Sequence, residues 1–212
     1  MTPAGPAVRV RLFLVRHGET ESNRLGLALG RNDVPLNERG ALQAEQLAAA
    51  LRREPLAAVY ASPLRRTLET ARAVAGAHGL EVAVEERLIE MDIGELDGLT
   101  FAEVRMRYPG LLEEWMSGPG PNMPMPGGER LVDVQERAWA AVTELAARHA
   151  EETVAAVTHN FVILSLLTKV LGIELSHFRR LQHAVAAVSV VDFTAGRTLV
   201  VRMNDTCHLE GG

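Results

Sequence analysis

Three short apolar runs in this chain each stop abruptly on polar residues, and this pattern restricts the architecture more than any other feature of the sequence. Residues 8–15 run into Arg16-His17-Gly18, residues 57–60 lead to Ser62-Pro63, and residues 153–158 run into His159-Asn160. A strand that is apolar without strict alternation is covered on both faces, as a parallel strand lies between two helical layers. Helical stretches lie between and after these runs. The first, 37–51, opens on Asn37-Glu38-Arg39-Gly40, carries Leu42, Leu47 and Leu51, and is stopped by Pro55. The next, 64–77, is read with Ser62 as N-cap and Pro63 at the first helical position. Others are expected at 129–150 and 161–171, with a further strand at 80–84. The end reads as a hairpin, 187–193 and 198–203, turned by Thr194-Ala195-Gly196-Arg197. The expected fold class is α/β, three layers α/β/α around a mainly parallel central sheet, with the ligand site beyond the carboxyl ends of the strands.

At 212 residues the chain suits one domain spanning 1–212. An acidic run at 85–97 precedes a helical stretch at 101–116 that is broken at Pro109-Gly110. Residues 118–128 hold so many glycines and prolines that no regular structure is expected there. Residues 99–128 are therefore read as a cap over the site, with 118–128 as its lid.

A net charge of -5 argues against nucleic acid as a partner, because phosphate-backbone binding calls for a basic face. The longest apolar stretch, 161–167, carries Ser165, soon meets Lys169, and falls short of the ~20 residues of a membrane span. Residues 1–6 lack the pattern of a secretory signal, so no membrane partner and a cytoplasmic location are expected. The single cysteine, Cys207, cannot form an internal disulfide and is read as inert. Charges beyond a Debye length are screened, so a local arginine cluster can still hold a small anion on an acidic protein.

The polar residues at the strand ends suit phosphate chemistry. Transfer of a phosphoryl group needs cations on its equatorial oxygens, an in-line nucleophile and a proton for the leaving oxygen. Arg16 and Arg66 offer planar guanidinium forks. A histidine beside arginines stays neutral and can attack, which fits His17. His78, His149, His177 and His183 are read as surface or structural side chains, whereas His17 and His159 directly follow apolar strands.

The segments Arg16-His17-Gly18-Glu19-Thr20, Ser62-Pro63-Leu64-Arg65-Arg66-Thr67 with Glu69-Thr70-Ala71, the acidic Glu90, and Thr158-His159 together resemble the histidine phosphatase superfamily, in its phosphoglycerate-mutase-like branch. Gly30 to Gly40 and Pro126-Gly127-Gly128-Glu129 belong to the same resemblance, which spans nearly the whole chain. It implies that His17 accepts the phosphoryl group, that Arg16, Arg66 and His159 bind it, and that Glu90 is the general acid. It also makes Asn23 and Gly30 substrate contacts. The residue types alone do not separate Glu90 from Asp92, Glu95 or Asp97. The implied reaction is hydrolysis of a small phosphorylated metabolite through a phosphohistidine, without metal or other cofactor. The chain departs from the usual pattern at Asn160 and Phe161, where a glycine is common, at Leu29 and at Ser22. Asn160 is thereby a candidate side-chain donor to the substrate.

Three alternatives stand beside this reading. His17, His159 and Glu90 could form a two-histidine, one-carboxylate metal site, which two neighbouring arginines would oppose. A non-catalytic phospho-ligand binding module would need neither nucleophile nor acid. A phosphoglycerate mutase would carry a longer, more basic insert than residues 99–126, which hold only Arg105 and Arg107. The end of the chain, Asn204 to Leu209, looks like that of phosphoserine-phosphatase-type members, so a carboxylate-bearing substrate such as phosphoserine is expected to meet His208. The closing hairpin leaves an edge strand through which a homodimer could form.

Overall fold

A computed structural model describes residues 9–209; Val8 and the segment 1–6 read above for a targeting signal lie outside them. Strands β1 (Arg9–Arg16), β2 (Leu56–Ala61), β3 (Val82–Val84), β4 (Thr153–Thr158), β5 (Val188–Thr194) and β6 (Arg197–Asp205) form one six-stranded sheet in the order β3-β2-β4-β1-β5-β6. The β1–β4, β2–β4 and β2–β3 pairs are parallel, and β5 runs antiparallel to both β1 and β6. The α/β class and mainly parallel sheet expected from the three apolar runs are present.

Although those runs read as continuous, the pleat sorts them onto two faces. Val10, Leu12 and Leu14 of β1 and Val154 and Ala156 of β4 join one core with helices α6 (Leu131–Arg148) and α7 (Asn160–Leu171). Phe13, Val15, Ala155 and Val157 join the other with α2 (Glu38–Leu51) and α3 (Arg65–Gly76). Asn37 caps α2 by accepting from Gly40 N at 2.8 Å. A single turn, α1 (Glu21–Arg24), closed by a Thr20–Asn23 capping box, is too short to show as a sequence pattern.

Helix α3 begins at Arg65, and Leu64, not Ser62, stands at its N-cap position. The first turn is capped from outside by Asp33, whose Oδ1 accepts from Arg65 N at 2.6 Å. This releases the Ser62 hydroxyl to pair with His159. The helical stretch 101–116 breaks at Pro109-Gly110 into α4 (Phe101–Arg107) and α5 (Leu111–Trp115). Residues 118–128 are not wholly irregular, because Gly120–Asn122 make a 3-10 turn whose Gly120 and Pro121 are buried. Among the described residues no helix is long and apolar enough to cross a membrane.

Candidate active site

His17 leaves the end of β1 in a loop fixed from three sides. Its N–H donates to Thr158 O on β4 at 3.1 Å, and its carbonyl accepts from Ala186 N at 2.9 Å. Gly18 N donates to Thr70 Oγ1 on α3 at 3.1 Å. A Cβ at Gly18 would lie 2.5 Å from the carbonyl oxygen of Gly40, so the first turn of α2 can press against this loop only because both positions are glycine. The His17 side chain is buried, with Nδ1 2.7 Å from Gly18 O. That contact requires the proton on Nδ1 and leaves the lone pair on Nε2. Burial, then Arg66 and Arg16, hold His17 well below the ordinary imidazole range. The ring is neutral, with its lone pair on Nε2.

Two guanidinium groups flank it. Arg66, fully buried, is anchored by Gly30 O at 2.7 Å and Asn32 O at 2.8 Å. The loop carrying those carbonyls is itself held by Asp97, which accepts from Gly30 N and Asn32 N. Burial lowers Arg66 to about 10, so it stays cationic at neutral pH. Arg16 donates from Nη1 to Asn160 Oδ1 and to His183 O. His159 lies beside His17, with ring centroids 5.3 Å apart, and its Nε2 is 2.7 Å from Ser62 Oγ. Burial, then Arg66, keep His159 neutral. Arg16 Nε, Arg66 Nε and His159 Nδ1 are buried without a hydrogen-bond partner among the described residues. Buried orphan polar atoms carry a desolvation cost, and two guanidinium groups beside them suit an anion.

Glu90 reaches the same place from the loop after β3. Its Oε1 accepts from Met91 N at 2.8 Å and its Oε2 from Phe161 N at 3.2 Å, supplying the N-terminal cap that α7 lacks locally. Those bonds and the arginines favour the carboxylate, but burial outweighs them and raises Glu90 above the usual carboxylate range.

Around its backbone stands a lock. Arg137 on α6 donates to the carbonyls of Arg87, Ile89 and Glu90 and to both carboxylate oxygens of Glu129. Glu129 also accepts from Arg31 and from Asp92 N. Lysine cannot reproduce that fork. Arg137→Lys is expected to cost about 2–4 kcal/mol of stability, by analogy with breaking a buried pair. It should also lower turnover of alkyl phosphates about 10-fold more than that of aryl phosphates, because only the former need Glu90 in position. Urea unfolding together with the ratio of the two rates checks both; equal losses on the two substrates would make Arg137 purely structural.

A cavity of about 240 Å³ opens next to this cluster, lined by Arg16, His17, Asn23, Glu90 and Asn160 and otherwise by apolar side chains. Arg66 and His159 stand against the cluster without lining the cavity. Asn23 is on the wall, with its Oδ1 taken by the Thr20 cap. Gly30 is not; its backbone serves Arg66 and Asp97 instead. His208 is not on the wall either, because the last 3-10 turn, Cys207–Leu209, sets its Nε2 on Ala186 O at 3.0 Å. Sequence reasoning took Ser62 only as a helix cap and assigned no role to Thr70, Glu129 or Arg137. Thr70 and Glu129 fall inside quoted motifs, whereas Arg137 is one of several charges on an amphipathic helix. No group of three or more His, Cys, Asp or Glu among the described residues could hold a metal ion.

The family model described as "Histidine phosphatase superfamily (branch 1)" matches residues 12–206. The chain is 38% identical over 200 residues to "Phosphoserine phosphatase 1" of Hydrogenobacter thermophilus, covering 94% of each. It is 31% identical to "Probable phosphoglycerate mutase GpmB" of Proteus mirabilis, covering 94% of this chain and 95% of that one. The solved structure "Bacillus stearothermophilus YhfR" superposes with a TM-score of 0.89 at 34% identity, covering 94% of this chain and 99% of the other. The chain spans 55% of the length of some mycobacterial relatives, at 36% identity.

Proposed function

Because this chain belongs to branch 1 of the histidine phosphatase superfamily, we propose that it hydrolyses small phosphomonoesters without a metal, through a phosphohistidine formed at His17. It is a phosphatase of the histidine phosphatase type. The observation that carries the mechanism is the pairing of a neutral His17, its lone pair on Nε2, with a buried Glu90 whose carboxyl burial raises above its ordinary range.

In the first step Nε2 attacks phosphorus and the P–O bond to the alcohol breaks. Glu90 gives its proton to the departing oxygen, while Arg16, Arg66 and His159 hold the phosphoryl oxygens. In the second step water attacks the phosphohistidine, the P–N bond breaks, and Glu90 takes back a proton. A dianionic ester beside Glu90 raises it further, keeping the acid charged with its proton as substrate binds.

Brief incubation with a phosphate-labelled ester followed by alkaline denaturation should leave label on His17, stable to alkali and lost in acid. His17→Asn should remove the label, and turnover should survive a strong chelator. Label on another residue, or loss of activity to the chelator, would refute the scheme.

Phosphatase is favoured over mutase because neither Arg105 nor Arg107 lines the cavity, which leaves a phosphoglycerate carboxylate no second cation. A binding module would need neither the free lone pair nor the buried acid. Residues 99–128 act as the cap in this reading, which also takes the protein as a single cytoplasmic domain. Phosphoserine draws support from the names of relatives, but the position of His208 does not support a carboxylate clamp there.

A further inference from the structure

Resting on the phosphatase reading, we infer that the cavity takes phosphomonoesters of apolar alcohols, carrying a ring or short branched chain, in preference to esters with a carboxylate near the phosphate. Among the described residues the polar side chains on its wall are Arg16, His17, Glu90 and two asparagines, and Arg16 is the one cation of that set. Arg16 is already committed to Asn160 and His183 O and faces the phosphoryl position. Everything else, including Leu29, Ile93, Leu96, Val104, Leu112 and Trp115, is apolar.

A carboxylate bound there would lose its water without gaining a cation, and would stand near Glu90. Unpaired charge in an apolar site is strongly disfavoured, whereas an apolar group gains by leaving water. Beyond Arg66, which stands at the phosphoryl end, Arg105 and Arg179 line a neighbouring groove that shares Phe101, Leu112, Trp115 and Phe161, with Arg16 and Asn160, as its wall with the cavity. One of them, Arg179, donates to Trp115 O at 2.9 Å and lies over the rings of Trp115 and Phe178. At about 240 Å³ the cavity exceeds the ~150 Å³ apolar hole that holds benzene, leaving space for the phosphoryl group.

The test compares kcat/KM for 2-phenylethyl phosphate and phosphoserine, with p-nitrophenyl phosphate as a control for turnover itself. The ammonium of serine makes its alkoxide the better leaving group, so a preference for the phenylethyl ester reports binding. We expect a preference of about 10²-fold, the scale set by burying a ring against stranding a charge. The non-cleavable phosphonate isosteres of the two alkyl esters should inhibit in the same order. If p-nitrophenyl phosphate is turned over while phosphoserine equals or beats the phenylethyl ester, the inference is overturned and the phosphatase reading stands. If none of the three esters is cleaved, the phosphatase reading fails and the inference falls with it.

Discussion

Glu90→Gln is expected to slow turnover of an alkyl phosphate by about 10²- to 10⁴-fold while costing an activated aryl phosphate far less. An alkoxide leaves poorly without a proton, and Glu90 is the buried carboxyl on the cavity wall held above its ordinary range. A nitrophenolate needs no proton to depart. Glutamine can accept only one of the two backbone N–H bonds that Glu90 takes from Met91 and Phe161. Any displacement this causes would slow both substrates, so the aryl ester serves as an internal control. The pH profile gives a second check with a definite sign. Activity on alkyl phosphates should fall as pH rises through the raised Glu90 value, and this basic limb should be absent in Glu90→Gln. Losses of the same size on both esters would remove Glu90 from its role as acid.

Acidification from pH 6.5 to 5 should weaken the fold by several kcal/mol. His17 and His159 are held well below the usual range by burial and arginines, and burial with Arg16 pushes His183 down to about 4. In the unfolded chain such side chains titrate near ~6.5. Below that pH the unfolded state takes up protons that the folded state refuses. Stability is therefore complete above about 6.5 and declines toward acid, by up to ~1.4 kcal/mol per pH unit for each histidine. Glu90, shifted upward, binds its proton in the folded state and offsets part of the loss. Urea midpoints across this range would show the decline, and His183→Gln should make it shallower while keeping a partner for Ser189. A flat midpoint would mean that these histidines are protonated in the fold.

Much of this was legible in advance for a local reason. An apolar run that ends on Arg16-His17 or on His159 states both that the strand is buried and where it stops being buried, so the site could be placed on strand ends without knowing their order in the sheet. Glu90 needed the family resemblance, since six acids share the stretch 85–97 and only the folded chain shows which one is driven into an apolar wall. Ser62 was misread because its sequence fits a helix cap, and the competing cap, Asp33, lies 32 residues away from Arg65. Arg137 was invisible, as its value comes from three carbonyls near residue 90 that its helix meets only through tertiary packing. His208 was placed by motif, but the edge turn carries it to Ala186 instead.

The sheet order also bears on how the protein comes into being on the ribosome. The strand that leads into His17 is made long before both its neighbours, β4 and β5. Arg11 pairs with Thr153 and with Asp192. At ~5–20 residues per second, translation leaves β1 without either neighbour for roughly 7–30 seconds. Its apolar side chains must be shielded during that wait, and the backbone bonds that hold His17 to Thr158 and Ala186 form only after it.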